Sequence, residues 1–157
     1  MTKLTLIISI ILILLMTNCG FKVVNDSNLK NFKIAEIITT GDKRINYKIK
    51  NKLLLSSSKN EKKLIKLNLE TSKIKSVKEK NIKNEITKYQ IKISIKVTYN
   101  EIQDINFKKF IIHKIGDFSA TNQYSQTLNN EKNLIKLLTD NLADEIIEKI
   151  IQNINAI

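Results

Sequence analysis

The chain has 157 residues, enough for one domain with a hydrophobic core but hardly for two. It carries 27 Lys and Arg residues against 15 Asp and Glu residues, a formal net charge of +12, and Arg44 is its only arginine. Without an arginine cluster or a Gly-aromatic motif, this charge is better explained by a lysine-rich solvated surface and AT-rich coding than by nucleic-acid binding, so no nucleic-acid partner is expected.

The amino-terminal segment has the pattern of a secretory signal. Lys3 precedes an almost purely apolar run from Leu4 to Met16, and Cys19, the only cysteine, follows. The run is shorter than the ~20 apolar residues that span a bilayer, and it suits the apolar core of a signal peptide. Its end resembles the bacterial lipoprotein box, in which the cysteine is acylated and the signal is cut before it. The alternative is an uncleaved anchor with a free thiol.

Three regions follow from this interpretation. Residues 1–18 are predicted to be a lipoprotein signal peptide, residues 19–31 the acylated Cys19 and a polar tether, and residues 32–157 a folded domain. Two or three acyl chains would hold the otherwise soluble domain on a membrane.

The folded domain is predicted to open with a strand in the segment FKIAEIITT. Phe32, Ile34 and Ile38 share one face at period two. Glu36 falls on the same face, where a position at the strand edge is expected rather than a buried carboxylate.

A helix is predicted next. Gly41 and Asp42 form a turn and a possible N-cap, and Ser56 to Ser58 end the segment. The apolar residues between them recur at spacing four, namely Ile45, Ile49 and Leu53.

Two strands are predicted in the middle of the chain. The first alternates through Ile65, Leu67 and Leu69 and leads to a charged turn near Lys78 to Asn81. The second, TKYQIKISIKVTYN, has the clearest alternation in the chain. One of its faces holds the apolar set Thr87, Tyr89, Ile91, Ile93, Ile95, Val97 and Tyr99. The other holds the polar set Lys88, Gln90, Lys92, Ser94, Lys96, Thr98 and Asn100.

The last two elements are predicted to be a strand and a helix. Phe118, Ala120 and Tyr124 suggest a strand that runs to Thr127, and Gly116 suggests a bulge or bend. The final segment is amphipathic, with Asn129 or Asn130 as its expected N-cap. Its apolar stripe is Ile135, Leu138, Leu142, Ile146, Ile147, Ile150, Ile151 and Ile154, beside a separate acidic stripe of Asp140, Asp144 and Glu148.

The predicted fold class is α+β, in the order β-α-β-β-β-α. Each helix has one apolar stripe and the roughly four-stranded sheet has one apolar face. The economical packing is a two-layer sandwich with both helices on that face, which leaves the other face of the sheet to water or a partner.

The residue types that carry catalysis are sparse in this sequence. His113, the only histidine, lies in an apolar run, where a structural or surface role is far more common than a catalytic one. Cysteine chemistry is assigned to acylation, the carboxylates are scattered, and the glycines form no phosphate-binding loop. We therefore expect no enzyme activity, no metal and no cofactor.

One basic row stands out as a candidate contact surface. Lys88, Lys92 and Lys96 lie on the polar face of the longest predicted strand. Successive lysines lie about 13 Å apart at 3.3 Å per residue, so they form an open row rather than a pocket. Such a row suits a broad, multiply charged partner, and the alternative is an ordinary solvated face.

These features together resemble the LPS-assembly lipoprotein LptE (RlpB) family in its alphaproteobacterial form. The resemblance is carried by the lipoprotein box running into Cys19, Gly20 and Phe21, by the order of elements, by the long strand ending in KVTYN, and by the acidic final helix LIKLLTDNLADEIIEKI. It implies a lipoprotein anchored in the outer membrane and facing the periplasm. It also implies two partners, the LptD β-barrel and lipopolysaccharide, which Lys88, Lys92 and Lys96 are candidates to contact.

Three other functions remain open from the sequence. The first is a lipoprotein accessory of a phospholipid-trafficking ABC system, whose members are similarly small and acylated. The second is a degradative lipoprotein enzyme, which the missing catalytic cluster disfavours. The third is a peptidoglycan binder, for which we find no motif.

Overall fold

The computed structural model describes residues 32–57 and 63–155, and these form four strands and two helices. The elements are β1 (Lys33–Gly41), α1 (Lys43–Ser56), β2 (Leu64–Lys80), β3 (Ile86–Glu101), β4 (Lys108–Ser119) and α2 (Tyr124–Asn155). This order confirms the predicted β-α-β-β-β-α arrangement. The predicted signal peptide, Cys19 and tether lie outside the described residues.

The sheet has the strand order β1-β2-β3-β4. β1 and β2 are parallel, with α1 as the crossover between them, whereas β2, β3 and β4 are successive antiparallel neighbours. A parallel pair needs such a crossover, and antiparallel neighbours need only short turns. The sequence alone does not specify this strand order.

Both helices pack on one face of the sheet, so the predicted two-layer α+β sandwich is confirmed. β3 shows why: Ile91, Ile93, Ile95 and Val97 are buried, and the residues between them are exposed or half-buried. The apolar stripes of both helices meet this face in one core that includes Ile49, Leu53, Leu142, Ile146 and Ile150. The opposite face of the sheet, which we call the open face, carries no helix among the described residues.

The start of α1 agrees with its predicted turn. Asp42 is the N-cap, and its Oδ1 accepts hydrogen bonds from the backbone N–H groups of Arg44 and Ile45 at 3.0 and 3.1 Å. Gly41 has a φ of +94°. A Cβ at Gly41 would lie 1.8 Å from the carbonyl oxygen of Thr71, so β1 and β2 come together here only because residue 41 has no side chain.

The predicted apolar face of β1 is wrong at its carboxyl end. Phe32 and Ile34 are buried as expected, but Ile38 is 53% exposed and Ile37 takes its place in the core. The register of β1 against β2 shifts between Ile34 and Glu36. Because such a bulge inserts one residue, it reverses the alternation beyond it. Glu36 is exposed on this edge strand, as the favoured interpretation expected.

The predicted boundary between the last strand and the last helix is also wrong. β4 ends at Ser119, and Tyr124 begins α2 instead of extending a strand to Thr127. Thr127 closes the connection, since its Oγ1 accepts a hydrogen bond from the backbone N–H of Thr121 and donates to the Thr121 carbonyl. Asn129 and Asn130 therefore lie inside the helix rather than at its N-cap.

The bulge or bend predicted at Gly116 is not observed. Gly116 pairs with Ile91 in an unbroken β3–β4 register. A Cβ at this position would lie 2.6 Å from Leu134 Cδ1 of α2. The glycine instead lets the last helix approach the sheet closely.

Candidate functional site

The open face carries both polar and apolar side chains, which point outward at every second residue of β2, β3 and β4. Cross-strand pairs place Glu70, Lys96 and Ile111 in one row. A second row, Ile74, Lys92 and Ile115, lies further along the strands. Between these rows lies the set Ser72, Ser94 and His113.

The structure places Lys88, Lys92 and Lys96 on this face, but the three differ in their surroundings. Lys88 Nζ lies 2.9 Å from Glu79 Oε1, and Lys96 Nζ lies 3.1 Å from Glu70 Oε1. Lys92 is exposed and has no carboxylate within ion-pair distance among residues 32–57 and 63–155. The middle lysine is therefore the one whose charge is available to a partner.

Lys92 lies between two exposed isoleucines. Its cross-strand neighbours are Ile74 on β2 and Ile115 on β4, which are 60% and 50% exposed. Directly opposed side chains on adjacent strands have Cβ atoms about 5 Å apart. A single ammonium flanked by apolar groups can contact an anionic group and the hydrocarbon beside it at the same time.

A third isoleucine extends this apolar surface along β4. Ile111, opposite Lys96, is 66% exposed. Ile38, which the bulge turns outward, pairs with Asn68 on β2 and lies apart from this surface. Adjacent exposed apolar side chains on a soluble domain mark contact surfaces more often than scattered ones do. We define the contact patch as Lys92 with Ile74, Ile111 and Ile115.

The sequence pattern indicates the exposed lysines of this face but not the full set of these isoleucines. The sequence does indicate that Ile74 is exposed, because it falls on the opposite face of β2 from the buried Ile65, Leu67 and Leu69. For Ile111 and Ile115 the decisive fact is the register of β4 against β3, which the irregular sequence of β4 does not specify.

The end of the open face near the β2–β3 turn is held by a charged cluster. Lys78 donates to Asp117 Oδ2, and Gln90 Nε2 donates to Asp117 Oδ1 at 3.1 Å. The hydrogen bond from Lys78, followed by the one from Gln90, lowers the pKa of the Asp117 carboxyl below its usual value. Because Asp117 is engaged by two partners, this end of the face is less available for ligand binding than the patch around Lys92.

The remaining sequence candidates are placed as follows. His113 is exposed on the open face, opposite Ser94. No group of three or more His, Cys, Asp or Glu side chains among the described residues could hold a metal ion. In the same part of the chain, no helix is both long and apolar enough to cross a membrane. Cys19 lies outside the described residues.

Comparison with solved structures identifies lipoproteins that have a similar fold. Rare lipoprotein B from Shewanella oneidensis matches with a TM-score of 0.51 and 12% sequence identity, over 77% of this chain and 94% of that one. A candidate lipoprotein from Caulobacter crescentus matches with a TM-score of 0.55 and 10% identity, over 81% and 92%. Lipoprotein B from Nitrosomonas europaea, itself uncharacterized, matches with a TM-score of 0.55 and 9% identity, over 87% and 94%.

The sequence comparisons give no further relatives. No protein-family model matches the chain, and no curated protein matches it. At 9–12% identity, the structural likeness establishes a shared fold.

Proposed function

We propose that this chain is an outer-membrane lipoprotein of the LptE (RlpB) type, anchored through Cys19 and facing the periplasm. In this role it acts with an LptD-like β-barrel in the assembly and insertion of lipopolysaccharide, and it is not an enzyme. Two independent lines support the proposal: the lipoprotein box and element order in the sequence, and a fold shared over most of the chain with lipoproteins called rare lipoprotein B or lipoprotein B.

The observation that carries the proposal is the contact patch on the open face. Lipopolysaccharide is an amphiphile that presents phosphate groups beside acyl chains. Lysine is a competent point-charge partner for phosphate, and exposed isoleucines flank Lys92 on both neighbouring strands. We propose that Lys92 contacts the phosphate while the surrounding isoleucines contact acyl chains or an apolar strip of the barrel wall.

The ion pairs on the open face support a ranking of the three lysines within this proposal. Lys88 and Lys96 already have carboxylate partners in Glu79 and Glu70, whereas Lys92 has none among the described residues. Lys92→Gln should therefore weaken lipopolysaccharide capture more than Lys88→Gln or Lys96→Gln. The loss should shrink at high salt, where exposed charges are screened.

A binding measurement tests this ranking. Full-length chain in a non-ionic detergent is incubated with labelled lipopolysaccharide, and retention is compared for the wild type, Lys92→Gln, Lys88→Gln, Lys96→Gln and Ile115→Ser. Lys136→Gln on the exposed face of α2 is the charge-matched control. Equal losses in Lys92→Gln and Lys136→Gln would show that only net charge matters and would remove the contact patch from the proposal.

The anchor is tested separately by mass spectrometry of the mature amino terminus. We expect a lipidated Cys19 as the first residue. Cys19→Ser should release a folded domain from membranes, because the cysteine precedes the described domain. A mature protein that begins with Met1 would contradict the lipoprotein assignment.

A further inference from the structure

A cavity lined by charged side chains lies on the helix-covered side of the sheet, opposite the contact patch. It has a volume of about 220 Å³ and lies between the first turn of α1, the early part of α2 and strand β2. Arg44 and Lys48 line it from α1, and Lys132 lines it from α2. Ile45 and Ile135 give the cavity an apolar floor. Its volume suits a small group better than a drug-sized ligand, which occupies upwards of about 300 Å³.

The acidic group on the cavity wall is already engaged. Asp42 accepts backbone hydrogen bonds at the start of α1, and its Oδ2 lies 2.9 Å from Lys73 Nζ. Burial acts to raise the pKa of the Asp42 carboxyl, but the hydrogen bonds from Lys73 and the backbone outweigh it, so that the pKa is lowered. Asp42 is therefore an anion with its own cation and is not a free ligand for a metal.

The other three charged groups are cations without such partners. Among the described residues, Arg44, Lys48 and Lys132 form no ion pair. Other lysines on this side of the sheet do pair: Lys52 of α1 lies 2.7 Å from Asp144, and Lys75 of β2 lies 2.5 Å from Glu131. Three like charges from two helices thus line one cavity whose carboxylate, Asp42, is paired with Lys73, and a bound anion would relieve their repulsion.

The identity of Arg44 adds a second argument. Arg44 is the only arginine in the chain, and the other 26 of its 27 Lys and Arg residues are lysines. A guanidinium forms planar, two-pronged hydrogen bonds with phosphate that an ammonium cannot form. The chain thus has arginine at the cavity where three cations converge.

We propose that the cavity between α1 and α2 binds a phosphate group, either free or carried by a lipid headgroup, through Arg44, Lys48 and Lys132. The site lies on the helix-covered side of the sheet, away from the open face. The proposal therefore does not depend on the proposed role in lipopolysaccharide assembly. The apolar floor leaves room for the carbon group that bears the phosphate.

Titration of the full chain in a non-ionic detergent tests the proposal. Inorganic phosphate is the first probe, followed by sonicated vesicles of phosphatidylcholine with and without phosphatidic acid. The variants are Arg44→Lys, Lys132→Gln and the triple change Arg44→Gln, Lys48→Gln and Lys132→Gln. The control is a triple change to Gln at Lys33, Lys50 and Lys83, which are exposed and lie outside the cavity.

We expect saturable phosphate binding to the wild type and to the control triple. Arg44→Lys should bind about tenfold more weakly, the factor that corresponds to losing one charge-assisted hydrogen bond. The cavity triple should show no saturable binding, although its thermal unfolding stays within a few degrees of the wild type because the three residues are exposed. Lys132→Gln alone keeps the test valid if the triple fails to fold.

The two probes, inorganic phosphate and lipid vesicles, distinguish the source of the phosphate. Vesicle binding that requires phosphatidic acid and is lost in the cavity triple assigns the site to a lipid headgroup, whereas phosphate binding without vesicle binding assigns it to a small phosphorylated ligand. The proposal is overturned if neither probe binds the wild type saturably, or if the control triple loses as much affinity as the cavity triple.

Discussion

Thr71 Oγ1 donates a hydrogen bond to Asn46 Oδ1 at 2.5 Å, and both residues are buried. Asn46 Nδ2 in turn donates to the carbonyl oxygen of Thr40 at 3.0 Å. The side-chain amide of Asn46 thus joins α1 to both β1 and β2 where the pairing of these two parallel strands ends. This bridge fixes the orientation of the helix that carries Arg44 and Lys48.

Loss of this bridge should destabilise the domain measurably. Asn46→Ala leaves the Thr71 hydroxyl buried without its partner, and such a change costs about 1–3 kcal/mol. The free energy of unfolding from urea denaturation measures the loss. Because Thr71→Val removes the other partner, the double variant should lose less than the sum of the two single changes. Strict additivity would show that the two side chains do not interact.

Gly41→Ala should be among the most damaging small substitutions in the chain. The new methyl group would meet the Thr71 carbonyl oxygen at 1.8 Å, and residue 41 would keep a positive φ that L residues disfavour. We expect a loss of at least about 2 kcal/mol in the free energy of unfolding.

Gly116→Ala is the matched comparison for Gly41→Ala. Its obstacle is Leu134 Cδ1, the movable end of a half-buried side chain rather than backbone. The loss at Gly116 should therefore be the smaller one. The reverse order would contradict the close approach of β1 and β2 at Gly41.

The assignment of inner and outer faces is tested by truncating buried and exposed aliphatic residues. Ile93 and Leu142 have no exposed surface. Ile93→Ala and Leu142→Ala should each lower the free energy of unfolding by about 2–5 kcal/mol. Ile115→Ala, on the open face, should change it by no more than about 0.5 kcal/mol. Similar losses at all three positions would mean that the open face is covered in solution.

The pH dependence of stability should include a contribution from Asp42. Because the folded-state pKa of Asp42 lies below its ordinary value of 3.8, its stabilisation is present above that value and is lost as the pH falls through the folded-state pKa. Asp42→Asn keeps a good N-cap but removes the charge that Lys73 contacts. The unfolding temperature should therefore fall less steeply in the variant as the pH is lowered from about 5 to about 2. Parallel curves for the two proteins would show that the Lys73 contact does not stabilise the fold.

The regular parts of this fold could be predicted from the sequence because single-sided burial leaves a strict alternation. The segment from Thr87 to Asn100 shows this most clearly, and the spacing of four from Leu138 to Ile154 does the same for α2. The bulge in β1 and the end of β4 could not be predicted, since both depend on backbone pairing with a neighbouring strand or on the turn at Thr121. The local apolar pattern is ambiguous at these two places.

The candidate sites were predictable only in part. Alternation placed Lys92 on the exposed face of its strand, but its flanking isoleucines depend on the register of three strands. Arg44 and Lys48 lie one turn apart on α1, but Lys132 is far away in the chain, and no local spacing brings it to them. The rarity of arginine was the signal in the sequence that could have drawn attention to the cavity.

The most direct test of the proposed function is to identify the envelope protein that copurifies with the chain. The full chain is tagged, extracted from native membranes in a mild detergent and compared with Cys19→Ser and Lys92→Gln. We expect an LptD-like β-barrel to copurify with the wild type, and less of it with either variant. Copurification of an ABC permease complex without a barrel would contradict the proposed function.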